Sequence, residues 1–254
     1  MKKILRLGAA IAGIAIIGII LLLADGFLGN PFSKYRAQNI AKNYILENYN
    51  GMNYEIEKAQ YDFKNSSYYV KITSPKSADL NFYLSISKSG KLNYDSYDSD
   101  VRNGFNTWER LDRELRDIGK KVLENELPFE IIHSSFGFAK DTFKPGILTH
   151  DMVLDIMNPP LPISVNINIM DNDVSYKKAA EILTSINDII LQKGYPVSFY
   201  NLSIEYKSKD QNSKEPYKSL FFHNIPSDLL HTDDLVSALE EFDLSQYIDE
   251  KNQK

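Results

Sequence analysis

Near the front of the chain stand eighteen consecutive uncharged residues, Leu7 to Ala24, almost all Ile, Leu, Ala and Gly. As a helix rising 1.5 Å per residue, such a run spans ~27 Å, close to a hydrocarbon core of ~30 Å. Phe27 and Leu28 extend it towards the far interface. A lone segment in lipid can satisfy its own backbone only as a helix. A transmembrane helix over 7–28 is therefore expected, behind a short tail of residues 1–6. Lys2, Lys3 and Arg6 lead the run, and Asp25 trails it. The positive-inside rule then places the tail in the cytoplasm and the body outside. A cleaved signal peptide begins in the same way, and Ala24-Asp25-Gly26 supplies small residues suited to cleavage; that alternative secretes the body. The run exceeds the ~7–15 residues of a signal core, which favours a retained anchor.

The rest of the chain is acidic. Without the three leading cations, 26 basic side chains face 34 acidic ones. Nucleic-acid binding needs a concentrated positive field, and the sequence shows no such patch, so that partner is not expected. The absence of cysteine excludes disulfides, thiolate catalysis, Cys-based metal sites and an N-terminal lipoprotein cysteine.

Patterning of the body predicts an α+β fold, with helices on mostly antiparallel sheets. Pro31 interrupts the first helix, and Ser33 is a candidate cap for a second one reaching Asn48. Residues 54–63 read as one strand whose facing parity switches near Lys58, as a bulge would cause. Tyr68, Val70 and Ile72 alternate with polar or outward residues, as do Leu80, Phe82, Leu84 and Ile86. Gly90 suits the turn before a return strand at Leu92 and Tyr94. A helix and a four-stranded meander thus occupy 29–100. A connecting helix follows over 101–127, with Asn106 as its candidate cap and Trp108, Leu111, Leu115, Ile118 and Val122 as its stripe.

A second α+β unit occupies 128–254. Strands are expected over 129–138, 163–169, 197–207 and 217–224, and a helix over 176–193 between Ser175 as cap and Gly194 as stop. Pro145-Gly146 and Pro159-Pro160 mark turns within 139–161. Ser208 to Glu215 reads as a polar loop. Thr232 with Asp233 and Asp234 starts a last helix to about Phe242, and residues 249–254 read as frayed.

Several stretches resemble the YfjL-like family of small membrane-anchored proteins of low-GC Gram-positive bacteria. They are Gly29-Asn30-Pro31, Tyr61-Asp62-Phe63-Lys64, Tyr68-Tyr69-Val70-Lys71-Ile72, Asn106-Thr107-Trp108 and Ser175-Tyr176-Lys177-Lys178-Ala179-Ala180. The resemblance implies an anchor and an extracytoplasmic α+β body. In outline the first unit is also similar to PepSY-type and cystatin-like modules.

Complete catalytic patterns are missing. His133, His150, His223 and His231 do not pair at helical zinc spacing. His150-Asp151 is the nearest approach to a His–carboxylate couple. Asp95, Asp98, Asp100 and Asn103 have oxygen ligands but lack the later acid of a calcium loop. Asp171-Asn172-Asp173 reads as a polar turn, and Ser175-x-x-Lys178 as a helix cap. No metal and no cofactor is expected. Tyr69 and Tyr83 lie on the parity opposite the buried residues of their strands, as an exposed, sticky binding face would. The sequence thus favours an anchored extracytoplasmic module that binds a protein, peptide or other envelope component. A carboxylate hydrolase and a structural partner of another membrane protein are the alternatives.

Overall fold

A computed structural model describes residues 2–206 and 218–252. The expected polar loop at 208–215 lies outside the described residues. The fold is α+β, in two compact units, residues 1–106 and 107–254.

The first unit opens with helix α1, Lys2–Leu28. It is the one helix among the described residues that is long and apolar enough to cross a membrane. Gly29 then takes a φ of +69°, which a side chain would resist. Helix α2, Pro31–Asn48, follows at once. Its cap is Asn30 rather than Ser33: the Asn30 side chain accepts from the Ser33 amide, and Pro31 fills the first helical position, where its missing N–H costs nothing. Ala37, Ala41 and Ile45 are buried along one side of α2.

That stripe belongs to the same core as a sheet ordered β1-β3-β4-β5, with β2 also on β3. The strands are β1 Glu55–Ile56, β2 Gln60–Asp62, β3 Ser67–Ser74, β4 Ser77–Ser87 and β5 Leu92–Asp95. The strand expected over 54–63 is thus two short pieces, both antiparallel to β3. Gln38 bridges the gap between them, donating to the Glu57 carbonyl and accepting from the Ala59 amide. Register pairs Tyr68 with Ile86, Val70 with Leu84 and Ile72 with Phe82, so the alternating apolar residues meet on one face. Burying each such side chain contributes roughly 1.5–3 kcal/mol. A π-helical turn, Tyr97–Arg102, closes the unit.

In the second unit, helix α3 (Phe105–Glu126) joins a sheet ordered β6-β7-β8-β9. Asn106, the last residue of the first unit, lies inside α3 and is not its cap; its amide donates to the carbonyls of Asp79 and Asn81 of that same unit. The strands are β6 Ile131–Phe138, β7 Ile163–Asp171, β8 Val197–Tyr206 and β9 Ser219–Pro226. Helix α4, Tyr176–Lys193, crosses between β7 and β8, which are therefore parallel while the other pairs are antiparallel. Ser175 caps α4, and Gly194 ends it in the left-handed region at φ +71°. A 3-10 turn, Ser227–His231, precedes helix α5, Leu235–Asn252. Of the residues expected to start it, Asp234 receives the Ser237 amide. The helix continues beyond Phe242, through residues 249–252 that the sequence reads as frayed. Leu111, Leu115 and Leu123 of α3 share the core with Phe136, Val165, Ile186, Tyr200 and Ile204.

Candidate functional site

β7 is buried at Ile163, Val165, Ile167 and Ile169, so pleating turns Ser164, Asn166 and Asn168 to the opposite face. The parallel register sets Asn166 beside Asn201 and Asn168 beside Ser203. The antiparallel register sets Ser135 beside Asn166 and Gly137 beside Ser164. One face of the sheet is therefore a mosaic of amides and hydroxyls drawn from three strands.

Its members are ordered by one another. Asn201 Nδ2 donates to Asn166 Oδ1 at 2.9 Å, and Asn201 Oδ1 accepts from the Asn224 amide at 2.8 Å. Asn224 holds a φ of +53°, a conformation that Asn tolerates better than most residues. Asn168 Nδ2 donates to Glu205 at 2.7 Å. Asn168 Oδ1 and Ser203 Oγ are buried and have no hydrogen-bond partner among the described residues. Each such atom costs about 1–3 kcal/mol, so two on adjacent strands are unusual in a surface with only a structural role.

Beside this floor opens a cleft of about 620 Å³. Helix α3 supplies one wall through Trp108, Asp112 and Arg116, and Ser135, Ser164, Asn166 and Asn201 lie along the base. Lys140 and His223 stand at the rim. The seat of α3 depends on Gly119: a Cβ there would lie 2.0 Å from the Phe136 amide nitrogen. Asp112 accepts from the Phe138 amide at 2.9 Å and pairs with Arg116 at 3.0 Å. Its carboxylate thus satisfies an N–H of β6, an edge strand, as well as facing the cleft. A shallower depression of about 140 Å³ adjoins, sharing Asn166, Asn201 and His223 and including Asn168 and Ser203. Amide donors and acceptors, an indole wall and exposed cations suit reversible recognition of a polar ligand.

Tyr69 and Tyr83 fall in the first unit. Their rings lie 5.6 Å apart, and Tyr94 continues the row at 6.2 Å from Tyr83. Tyr83 and Tyr94 are 39% and 47% exposed, so this face does present aromatic surface. Partial burial raises the Tyr83 phenol above its ordinary pKa.

Other sequence candidates serve local structure. Asp95 accepts from Tyr44 at 2.9 Å and Tyr49 at 2.7 Å, and from the Tyr97 amide. Burial, and then this carboxylate, push Tyr44 up to about 12. Asp98 pairs with Arg102, and Asp100 accepts from Ser99. Among the described residues no group of three acidic, His or Cys side chains is placed to hold a metal. Lys178 turns to Asp171 and Glu181, away from nucleophile chemistry at Ser175. His150 is not among the residues that line the large cleft.

The end of α1 is clamped to the first sheet. Lys88 Nζ donates to the Asp25 carbonyl at 2.8 Å and carboxylate at 2.9 Å. Tyr61 donates to the Gly26 carbonyl, and Tyr68 exchanges hydrogen bonds with both backbone groups of Asn30.

These features define a class: an α+β protein with an apolar N-terminal helix leading into two sheet-bearing units. Its family follows from comparison with known proteins. The YfjL-like N-terminal domain matches residues 1–96 and the YfjL-like C-terminal domain matches residues 114–240, and the chain belongs to the YfjL-like family. No curated protein and no solved structure matches it.

Proposed function

We propose that this protein is a membrane-anchored binding module whose body lies outside the cytoplasm and whose C-terminal cleft takes a peptide segment of an envelope component. The observation that carries the reading is the pair of unpartnered buried polar atoms, Asn168 Oδ1 and Ser203 Oγ, in the depression that adjoins the cleft and shares the ordered amides of Asn166 and Asn201 with it. Amide side chains match the donors and acceptors of a peptide backbone, and Arg116 and Lys140 suit a carboxylate on the same ligand. Tyr69 and Tyr83, with Tyr94, offer a separate aromatic contact face on the first unit.

Retention of α1 is supported by its clamp. Asp25 and Gly26 provide the acceptors for Lys88 and Tyr61, and cleavage within or just after Ala24-Asp25-Gly26 would remove some or all of those contacts. Charge around the helix supports a cytoplasmic N-terminus. Protease added to intact cells should then digest the body.

The binding reading is tested with a photo-crosslinking side chain at Lys140 of the full chain in its own membrane. It should trap a peptide-containing species that the same group at Thr184, exposed on α4, does not. Asn201→Leu, shown to be folded by circular dichroism and a thermal melt, should remove the adduct. Equal capture at both positions, or capture indifferent to Asn201, would sink the cleft as the binding site.

A further inference from the structure

Helix α2 has a second side that its core does not use. Phe32, Tyr35 and Leu46 are 88%, 71% and 66% exposed. Their spacing of three and then eleven residues keeps them within one broad helical face. Phe27 and Phe63 are exposed beside the same junction, with their rings 6.1 Å apart. Four of these, Phe27, Phe32, Tyr35 and Phe63, stand at the exit of an apolar helix and exceed the scattered few of an ordinary surface.

A groove of about 460 Å³ lies along α2, lined by Lys34, Tyr35, Lys42, Ile56 and Lys58 among others, with no carboxylate in its lining. All three lysines are exposed. None has an ion-pair partner among the described residues, although the chain is acidic overall. Local charge here opposes the global charge, and it accompanies aromatic residues of the kind that settle at membrane interfaces.

We infer that this side of α2 docks on the anionic phospholipid headgroups of the leaflet from which α1 emerges, with Lys34, Lys42 and Lys58 contacting phosphate and Phe32 and Tyr35 entering the interface. The occupant follows from continuity: Phe32 is four residues beyond Leu28, the last residue of α1. The inference rests on α1 being a membrane anchor.

A chain without cysteine allows a clean single label. Full-length Asn39→Cys carrying an environment-sensitive fluorophore would be reconstituted in nanodiscs with or without phosphatidylglycerol in phosphatidylcholine. Emission should shift to the blue, and brominated lipid should quench it, only in the phosphatidylglycerol discs. High salt should reverse the effect. Reversing each lysine to Glu should lower the docked-to-free ratio by about fivefold or more. Phe32→Asn with Tyr35→Ser should abolish the blue shift, and a label at Thr184 should report no change. Spectra that are the same in both lipids, or unmoved by lysine reversal, overturn the inference. Co-elution with the discs separates the outcomes. A chain that co-elutes without lipid dependence refutes docking and leaves the anchor standing; a chain that does not co-elute refutes both.

Discussion

Gly119 sits in the middle of α3, where helix propensity alone favours Ala over Gly by about 1 kcal/mol. Packing reverses the sign. An added Cβ would stand 2.0 Å from the Phe136 amide nitrogen and 2.7 Å from the Ser135 carbonyl carbon, where ordinary contact begins at 3.4 Å. Both are backbone atoms of β6, so no side-chain rotation relieves the overlap, and the helix itself must withdraw from the strand. Overpacking typically costs 1–3 kcal/mol, and a backbone obstacle belongs at the upper end of that range. After the propensity gain, Gly119→Ala should destabilise the C-terminal unit by about 2 kcal/mol. For a unit of this size that corresponds to a fall in Tm of roughly 4–8 °C. Withdrawal also moves the wall carrying Trp108, Asp112 and Arg116, so capture at Lys140 should fall as well. Calorimetry of the full chain in detergent measures the first effect and the photo-crosslinking yield measures the second. A Tm that is unchanged or raised would refute the close approach of α3 to β6.

Asp112→Ala leaves the Phe138 amide without its acceptor in a buried setting, and should cost about 1–3 kcal/mol in denaturant titration. Asp112→Asn keeps an accepting oxygen and should cost clearly less, because the Arg116 partner is half exposed and the pair itself contributes little. Burial raises Tyr44, Tyr54 and Tyr200 from about 10 to about 12. Between those pH values the unfolded chain has lost phenolic protons that the folded chain retains, so stability is full below pH 10 and falls as pH rises towards 12. Tyrosinate absorbance should therefore show a late fraction that appears only with unfolding. Complete, reversible ionisation near pH 10 in the folded chain would contradict the burial.

Where one physical signal dominates, sequence and structure agree. Strict alternation in β3, β4 and β7 leaves only one face to bury, and register follows. Ser175 and Gly194 bracket α4 because no competing residue stands beside either. The expectations that fail are local competitions. Asn30 displaces Ser33 as cap because Pro31 sets the phase of the first turn. The strand over 54–63 breaks because Gln38 satisfies the backbone on both sides of its parity switch, a partner about twenty residues away that spacing cannot reveal.

The cleft was half legible. Ser164, Asn166 and Asn168 alternate plainly with the buried residues of β7, yet alternation alone reads as a solvated face. Composition held the missing signal: Asn is depleted in strands, and Lys, Glu or Thr would serve a purely solvated face at lower cost. What no local pattern supplies is the pairing. Asn166 meets Asn201 across 35 positions because α4 returns the chain parallel to β7, and Asp112 reaches Phe138 across 26 because α3 covers an edge strand. A site assembled by crossover and edge protection exists only once the sheet order is known. The aromatic pair Tyr69 and Tyr83 shows the converse. Adjacent strands joined by a tight hairpin fix its geometry within a short stretch of chain, so the sequence could bring those two rings together while leaving the amide floor of the other sheet unread.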